Sequence, residues 1–263
     1  MKELRPAEGH IAITGASAGI GLAIAQRFAR PGNSLTLVAR RRGLLEELAS
    51  EASGRGAKAH VAEADMGDLE AATAWVEPAE EALGPIDVLI LNAGIQKVGP
   101  ALSFTDEDSE LQMRVNVMAP LRLARKVAPG MLARGRGTIV IVSSVSAITH
   151  TPQMADYSAT KAHVSAFFET LGAELRGSGV HVLTVYPGPV ATAMEKAARN
   201  KLEDGLLTRS VPTGTPERLA ELVEEAIDKR EPRLVYPKVY AATRYARATS
   251  QWLTYRFAPR SRS

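Results

Sequence analysis

The chain has 263 residues, of which 45% are hydrophobic and 23% charged, with no cysteine and a formal net charge of +3. This is the make-up of an ordinary globular protein with a sizeable core. It excludes a disulfide framework and a thiolate metal site, and the balanced charge speaks against nucleic-acid binding. The opening MKELRPAEGHIAITG lacks the apolar run of about 7–15 residues that a signal peptide needs. No stretch reaches the roughly 18 apolar residues of a membrane span, so a cytoplasmic protein is expected.

The first apolar run, HIAIT (10–14), reads as a strand, and TGASAGIG leads from it into a helix over 19–30. Then follow strand SLTLVA (34–39), helix 42–53, strand AKAHVA (57–62), helix 68–83, strand IDVLIL (86–91) and a long helix over 106–133. Strand GTIVIVS (137–143), helix 155–177, strand VHVLTVY (180–186) and helix 215–229 complete the series. Several of these runs are apolar on both faces, as in a parallel sheet covered on both sides. Repeated β–α units predict an α/β protein with a doubly wound parallel sheet. No linker, repeat or low-complexity segment divides the chain, so one domain is expected.

In such sheets ligands bind beyond the carboxyl ends of the strands. At the first strand end, Gly15, Gly19 and Gly21 let the backbone turn sharply and approach a phosphate. The following helix N-terminus favours the anion. The second strand ends in Ala39, Arg40 and Arg41. Arginine at this point suits a ribose 2′-phosphate, where an acidic residue would suit the 2′-hydroxyl. Tyr157 and Lys161 stand four apart on a helix and share a face, so the lysine is placed to lower the phenol's pKa. Pro120 lacks the N–H that would bond the Asn116 carbonyl, which predicts a kink there.

The motif T-G-x-x-x-G-x-G, with NAG at 92–94, Asn116, Ser144, Tyr157-x-x-x-Lys161, Pro187-Gly188 and Thr192 in that order, resembles the short-chain dehydrogenase/reductase family. The resemblance runs from about residue 10 to 237. It implies a Rossmann-type α/β/α fold and hydride transfer between NADP(H) and a small-molecule carbonyl or secondary alcohol. Tyr157 is then the acid/base. Lys161 tunes it and holds the nicotinamide ribose. Ser144 orients the substrate oxygen, with Ser143 and Ser146 as competitors, and the Asn116 carbonyl holds a relay water. The implied cofactor contacts are Gly15, Ser17, Gly19, Ile20, Gly21, Arg40, Arg41, Asp65, Met66, Asn92, Ala93, Gly94, Pro187, Gly188, Val190 and Thr192, besides Tyr157 and Lys161. Asn92 reads equally as scaffold and as contact. Ala39 stands where NAD-preferring members tend to carry Asp. His150, Gln153, Met154 and Met194, with Ser144, are the implied substrate contacts. A homodimer or homotetramer is implied as well.

No pair of histidines has metal-ligand spacing, and His10, His60 and His181 read as structural. Residues 191–214 resemble a substrate lid in which Met194, Leu202, Leu206 and Leu207 form an apolar wall. The core ends near Pro237. Residues 238–263 contain six Lys or Arg and no Asp or Glu. There Tyr245, Trp252 and Tyr255 fit one helical stripe. This extension packs near the pocket, lies peripherally on an anionic membrane or is partly disordered. Two rival functions stand beside the carbonyl reductase: a 3-oxoacyl-thioester (acyl-carrier-protein) reductase, and a non-catalytic NADP(H)-binding regulator.

Overall fold

The computed structural model describes residues 7–202, 212–241 and 246–257. Seven parallel strands form its sheet: β1 (His10–Thr14), β2 (Ser34–Ala39), β3 (Lys58–Glu63), β4 (Val88–Leu91), β5 (Gly137–Val142), β6 (Val180–Pro187) and β7 (Arg233–Tyr236). Their order is β3-β2-β1-β4-β5-β6-β7. Ile11 of β1 stands opposite Leu35 on one side and Val88 on the other. β1 and β4 are buried at every position, as their unbroken apolar runs require of central strands. The chain winds outward in both directions from the β1–β4 pair, so a crevice opens beyond their carboxyl ends.

Ten α-helices cover the two faces: α1 (Gly19–Phe28), α2 (Arg42–Gly54), α3 (Ala71–Ala74), α4 (Val76–Leu83), α5 (Asp106–Met113), α6 (Ala119–Arg134), α7 (Ala155–Glu174), α8 (Ala193–Lys201), α9 (Pro216–Asp228) and α10 (Arg247–Phe257), counted among the described residues. On one face Phe28, Leu45 and Leu219 join the sheet in a core beneath α1, α2 and α9. On the other, Val76, Leu123 and Phe168 do so beneath α4, α6 and α7. Phe28 and Phe168 are fully buried; truncating either to Ala should cost about 3–5 kcal/mol. Glu224 on α9 takes the guanidinium groups of Arg27 (2.5 Å) and Arg30 and so ties α9 to α1. His10 is buried between the Gly84 carbonyl and the Thr36 hydroxyl, the structural role its place in a strand suggested.

Two expected helices are not continuous. The one over 68–83 divides at Trp75, whose indole N–H donates to the Ala72 carbonyl (2.7 Å). Asp68 caps its start by accepting from the Glu70 and Ala71 amides. The helix expected over 106–133 is interrupted by a π-helical stretch at Arg114–Met118, where the Ala119 amide bonds back to the Arg114 carbonyl. Pro120 cannot supply an N–H to the ladder. The chain accommodates it with one widened turn, a bulge of the kind that often marks a functional position, where the sequence suggested a kink.

Candidate active site

A cavity of about 740 Å³ lies over the carboxyl ends of β1, β2, β4, β5 and β6. Its first wall is the turn from β1 to α1. Gly15 and Gly19 both have left-handed backbones (φ +70 and +56). A Cβ on Gly21 would stand 2.3 Å from the Gly15 carbonyl oxygen, so only glycine lets the helix pack this close to the turn. Gly21 itself lies behind the turn and does not line the cavity. Asn92 braces the arrangement by donating to the Thr14 and Gly15 carbonyls (3.0 and 3.4 Å). Thr14 in turn accepts from the amides of Asn92 and Ala93. Of the two readings of Asn92, these bonds display the scaffold. α1 begins with no side-chain cap and no acidic residue in its first turn, which leaves its amides for an anion.

Arg41 reaches back across this turn and donates to the Ser17 hydroxyl (2.9 Å) and carbonyl (3.3 Å). Arg40 lies 3.9 Å from Asp65, and Asp65 also accepts from the Gly67 amide. α2 likewise starts without a side-chain cap or an early acid. The two arginines thus sit in the open beside a helix N-terminus. The Ala39 methyl there offers no charge to oppose a phosphate.

The second wall carries Ser144, Tyr157 and Lys161, all lining the cavity. Ser144 follows β5, and its hydroxyl accepts from the Ser146 amide (3.1 Å). Ser143 is engaged elsewhere, with the Lys161 carbonyl and the Ser165 hydroxyl, and pins α7 to β5. Lys161 is buried, and its Nζ donates to the Val142 carbonyl (2.9 Å). The same Nζ lies 5.8 Å from the centre of the Tyr157 ring. Burial pushes the Tyr157 phenol up to about 12, while its hydrogen bond with Ser144 pulls it back in part. Burial pulls the Lys161 ammonium down to about 8. The net direction for the phenol is upward, the reverse of the one expected for it beside Lys161: desolvation outweighs the lowering from Ser144.

Asn116 does not line the cavity. Its side chain accepts from the Ile95 amide (2.8 Å) and donates to the Ile95 carbonyl (2.9 Å) and the Thr160 hydroxyl (3.1 Å). It thus fixes the chain after β4 against α7, a task the sequence did not reveal. Gly94 lies between the two sides: a Cβ there would be 3.3 Å from Asn116 Oδ1 and 3.4 Å from Lys161 Nζ.

Met154, Met194, Ile20, Met66, Pro187, Gly188, Val190 and Thr192 all line the cavity. Thr192 also caps α8, accepting from the Glu195 amide. His150 and Gln153 do not line it. The turn after β5 ends at His150, whose ring nitrogen meets the Ser146 carbonyl and whose backbone faces α10. Gln153 has a left-handed backbone (φ 70), and its carbonyl accepts from Gly99. Leu206, Leu207 and Tyr245 lie outside the described residues.

Among the wall residues that the sequence did not single out are Gln96, Tyr240 and Leu253. The last two belong to the C-terminal extension, whose described residues, 238–241 and 246–257, pack on the domain. Gln251 accepts from the His150 amide (2.7 Å) and donates to the His150 carbonyl (2.8 Å). Trp252 and Tyr255 point outward. No helix among the described residues is long and apolar enough to cross a membrane.

The sequence profile of the short chain dehydrogenases matches residues 9–203. A short chain dehydrogenase of Pseudocercospora fijiensis is 38% identical, covering 69% of this chain, which spans 60% of that protein's length. A fatty acyl-CoA reductase of Mycobacterium tuberculosis is 38% identical over 88% of this chain and 77% of its own. Among solved structures, a short-chain dehydrogenase from Sphingobium yanoikuyae in complex with NADPH superposes with a TM-score of 0.80 at 32% identity, covering 93% of this chain and 94% of the other. A family member from Burkholderia phymatum in complex with NAD gives 0.82 at 27% identity, with 95% and 96% covered. With this fold, this strand order and these matches, the chain belongs to the short-chain dehydrogenase family of oxidoreductases.

Proposed function

We propose that the protein is an NADP(H)-dependent oxidoreductase that interconverts a carbonyl compound and its secondary alcohol, with Tyr157 as the acid/base. The observation that carries this reading is the meeting of Ser144, Tyr157 and Lys161 on one cavity wall, opposite an uncapped helix N-terminus behind a glycine turn. The cradle fits a dinucleotide: left-handed Gly15 and Gly19 keep its turn free of side chains on the cavity side, and the α1 amides are left for a phosphate. Arg40 and Arg41, beside the uncapped start of α2, favour a 2′-phosphate, and guanidinium holds such a group with paired hydrogen bonds. The nicotinamide, when bound, supplies the hydride for the carbonyl carbon or accepts it in the reverse direction.

The protein's own groups handle the proton. A phenol held neutral well above pH 7 is in the protonation state that carbonyl reduction requires of its donor. Ser144, which lowers the Tyr157 phenol in part, shares its cavity wall and offers its hydroxyl to the substrate, positioning the carbonyl against the phenol. The Lys161 ammonium stabilises the phenolate left after proton transfer. The intact set of three argues for an enzyme and against a regulator that only binds the nucleotide. The test is kcat/KM with NADPH and with NADH over a panel of ketones, aldehydes and acyl thioesters. We expect at least tenfold preference for NADPH; equal or better turnover with NADH would remove the 2′-phosphate assignment, and no turnover of any member would remove the enzyme.

A further inference from the structure

The C-terminal extension lies outside residues 9–203, which the family profile matches, yet it forms part of the cavity wall. Two contacts seat it. The ring of Tyr240 packs so closely on Gly188 that a Cβ there would be 2.7 Å away. The side-chain amide of Gln251 closes a two-bond ring with the backbone of His150, at 2.7 and 2.8 Å. That second contact fixes the turn of α10 that carries Ser250, Leu253 and Thr254, all three of which line the cavity. Spacings of three and four place these residues on one helix face, while Trp252 and Tyr255 lie on the other.

Leu253 is 45% exposed and Met194, on α8, is 43% exposed, and both line the same cavity. Large apolar side chains left open toward a shared cavity mark a place for an apolar group. A small cluster of Val98, Met154, Ala198 and Leu202 joins α8 to the chain after β4, and Met154 and Leu202 of that cluster also line the cavity. Glu195 and Arg199, which also line the cavity, neutralise each other at 2.6 Å.

We infer that α10 is the outer wall of the substrate site: Leu253, which shares the cavity with Met194 and Met154, receives an apolar chain on the substrate, and Gln251 is the positioning residue that latches the wall to His150. The substrate class is a ketone or aldehyde whose carbonyl end meets Ser144 and Tyr157 and whose hydrocarbon chain runs out between α8 and α10. The inference takes the identity of the reacting end from the oxidoreductase reading; the wall itself is a matter of binding.

The probes are octan-2-ol and butan-2-ol, whose affinities calorimetry measures without turnover, and the matching ketones, assayed with NADPH. Buried methylenes strengthen binding, so the wild-type protein should bind octan-2-ol at least tenfold more tightly than butan-2-ol. Leu253→Gln keeps a good helix former at an exposed position and should shrink that ratio about fivefold. Gln251→Leu removes both hydrogen bonds; it should raise KM for octan-2-one more than it lowers kcat, and make the 246–257 helix more open to limited proteolysis. The inference is overturned if wild type shows no chain-length preference, or if both variants keep its ratio. If the alcohols bind with these ratios but no ketone is turned over with either nucleotide, the wall stands and the oxidoreductase reading falls.

Discussion

Replacing Lys161 by Met should make the protein more stable and inactive. The ammonium is 5% exposed and burial lowers its pKa from 10.5 to about 8. At ~1.4 kcal/mol per pH unit, keeping it charged costs the fold about 3 kcal/mol. Methionine retains the stem but gives up the bond from Nζ to the Val142 carbonyl, worth about 1 kcal/mol. The net gain at pH 7 is about 2 kcal/mol, or ~4–8 °C in Tm for a protein of this size. A base whose folded pKa lies below its unfolded one binds fewer protons when folded. Its cost is therefore full below about pH 8 and fades as pH rises toward 10.5. The variant's advantage should shrink along that interval and reverse by about 1 kcal/mol above it. Urea denaturation of both proteins at pH 6 to 10.5, without nucleotide, measures the difference. A less stable variant at pH 7, or a gap that does not change with pH, would refute the reasoning. Reductase activity should fall at least ~100-fold.

Three further outcomes follow from the same geometry. Gly21→Ala forces a Cβ to within 2.3 Å of the Gly15 carbonyl oxygen, so NADPH affinity, read from nucleotide fluorescence, should drop more than about tenfold while the circular dichroism spectrum persists. Asn116→Ala deletes three hydrogen bonds to Ile95 and Thr160 and leaves the Ile95 amide unpaired. A loss of about 2–4 kcal/mol in urea is expected; a change below about 0.5 would show that these bonds carry nothing. Because the Lys161 ammonium deprotonates at about 8, kcat/KM for reduction should hold steady below that pH and decline above it. Tyr157, pushed up to about 12, contributes no break in that range.

The sheet was legible because its strands are apolar on both faces and separated by helix-length intervals. β7 was not singled out as a strand: it has four residues at the edge of the sheet, all partly exposed, and carries too short a pattern to separate from the turn around it. Pro120 announced a disturbance in the long helix, but not its form. A missing N–H can be met by a kink or by a widened turn, and the local sequence does not distinguish the two. His150 and Gln153 were expected in the cavity because they lie between Ser144 and Tyr157 in the chain. Their actual directions depend on α10 and on Gly99, partners that no local spacing displays.

The tyrosine–lysine pair shows most clearly what spacing can and cannot carry. A separation of four placed both groups on one helix face, and the structure brings the ammonium to 5.8 Å from the ring centre. Spacing holds no information about water, however, and burial reverses the sign expected for the phenol. The same desolvation weakens the lysine's hold on its own proton. Burial therefore brings the two titrations into different ranges: the phenol stays neutral across the range in which the lysine changes charge. In the proposed reaction a proton taken from Tyr157 would leave a phenolate for this cation to stabilise, so the cavity that makes Tyr157 a reluctant acid would also make its proposed role depend on the charge of Lys161. On that reading, a residue whose buried charge costs the fold stability is one that the proposed chemistry cannot spare.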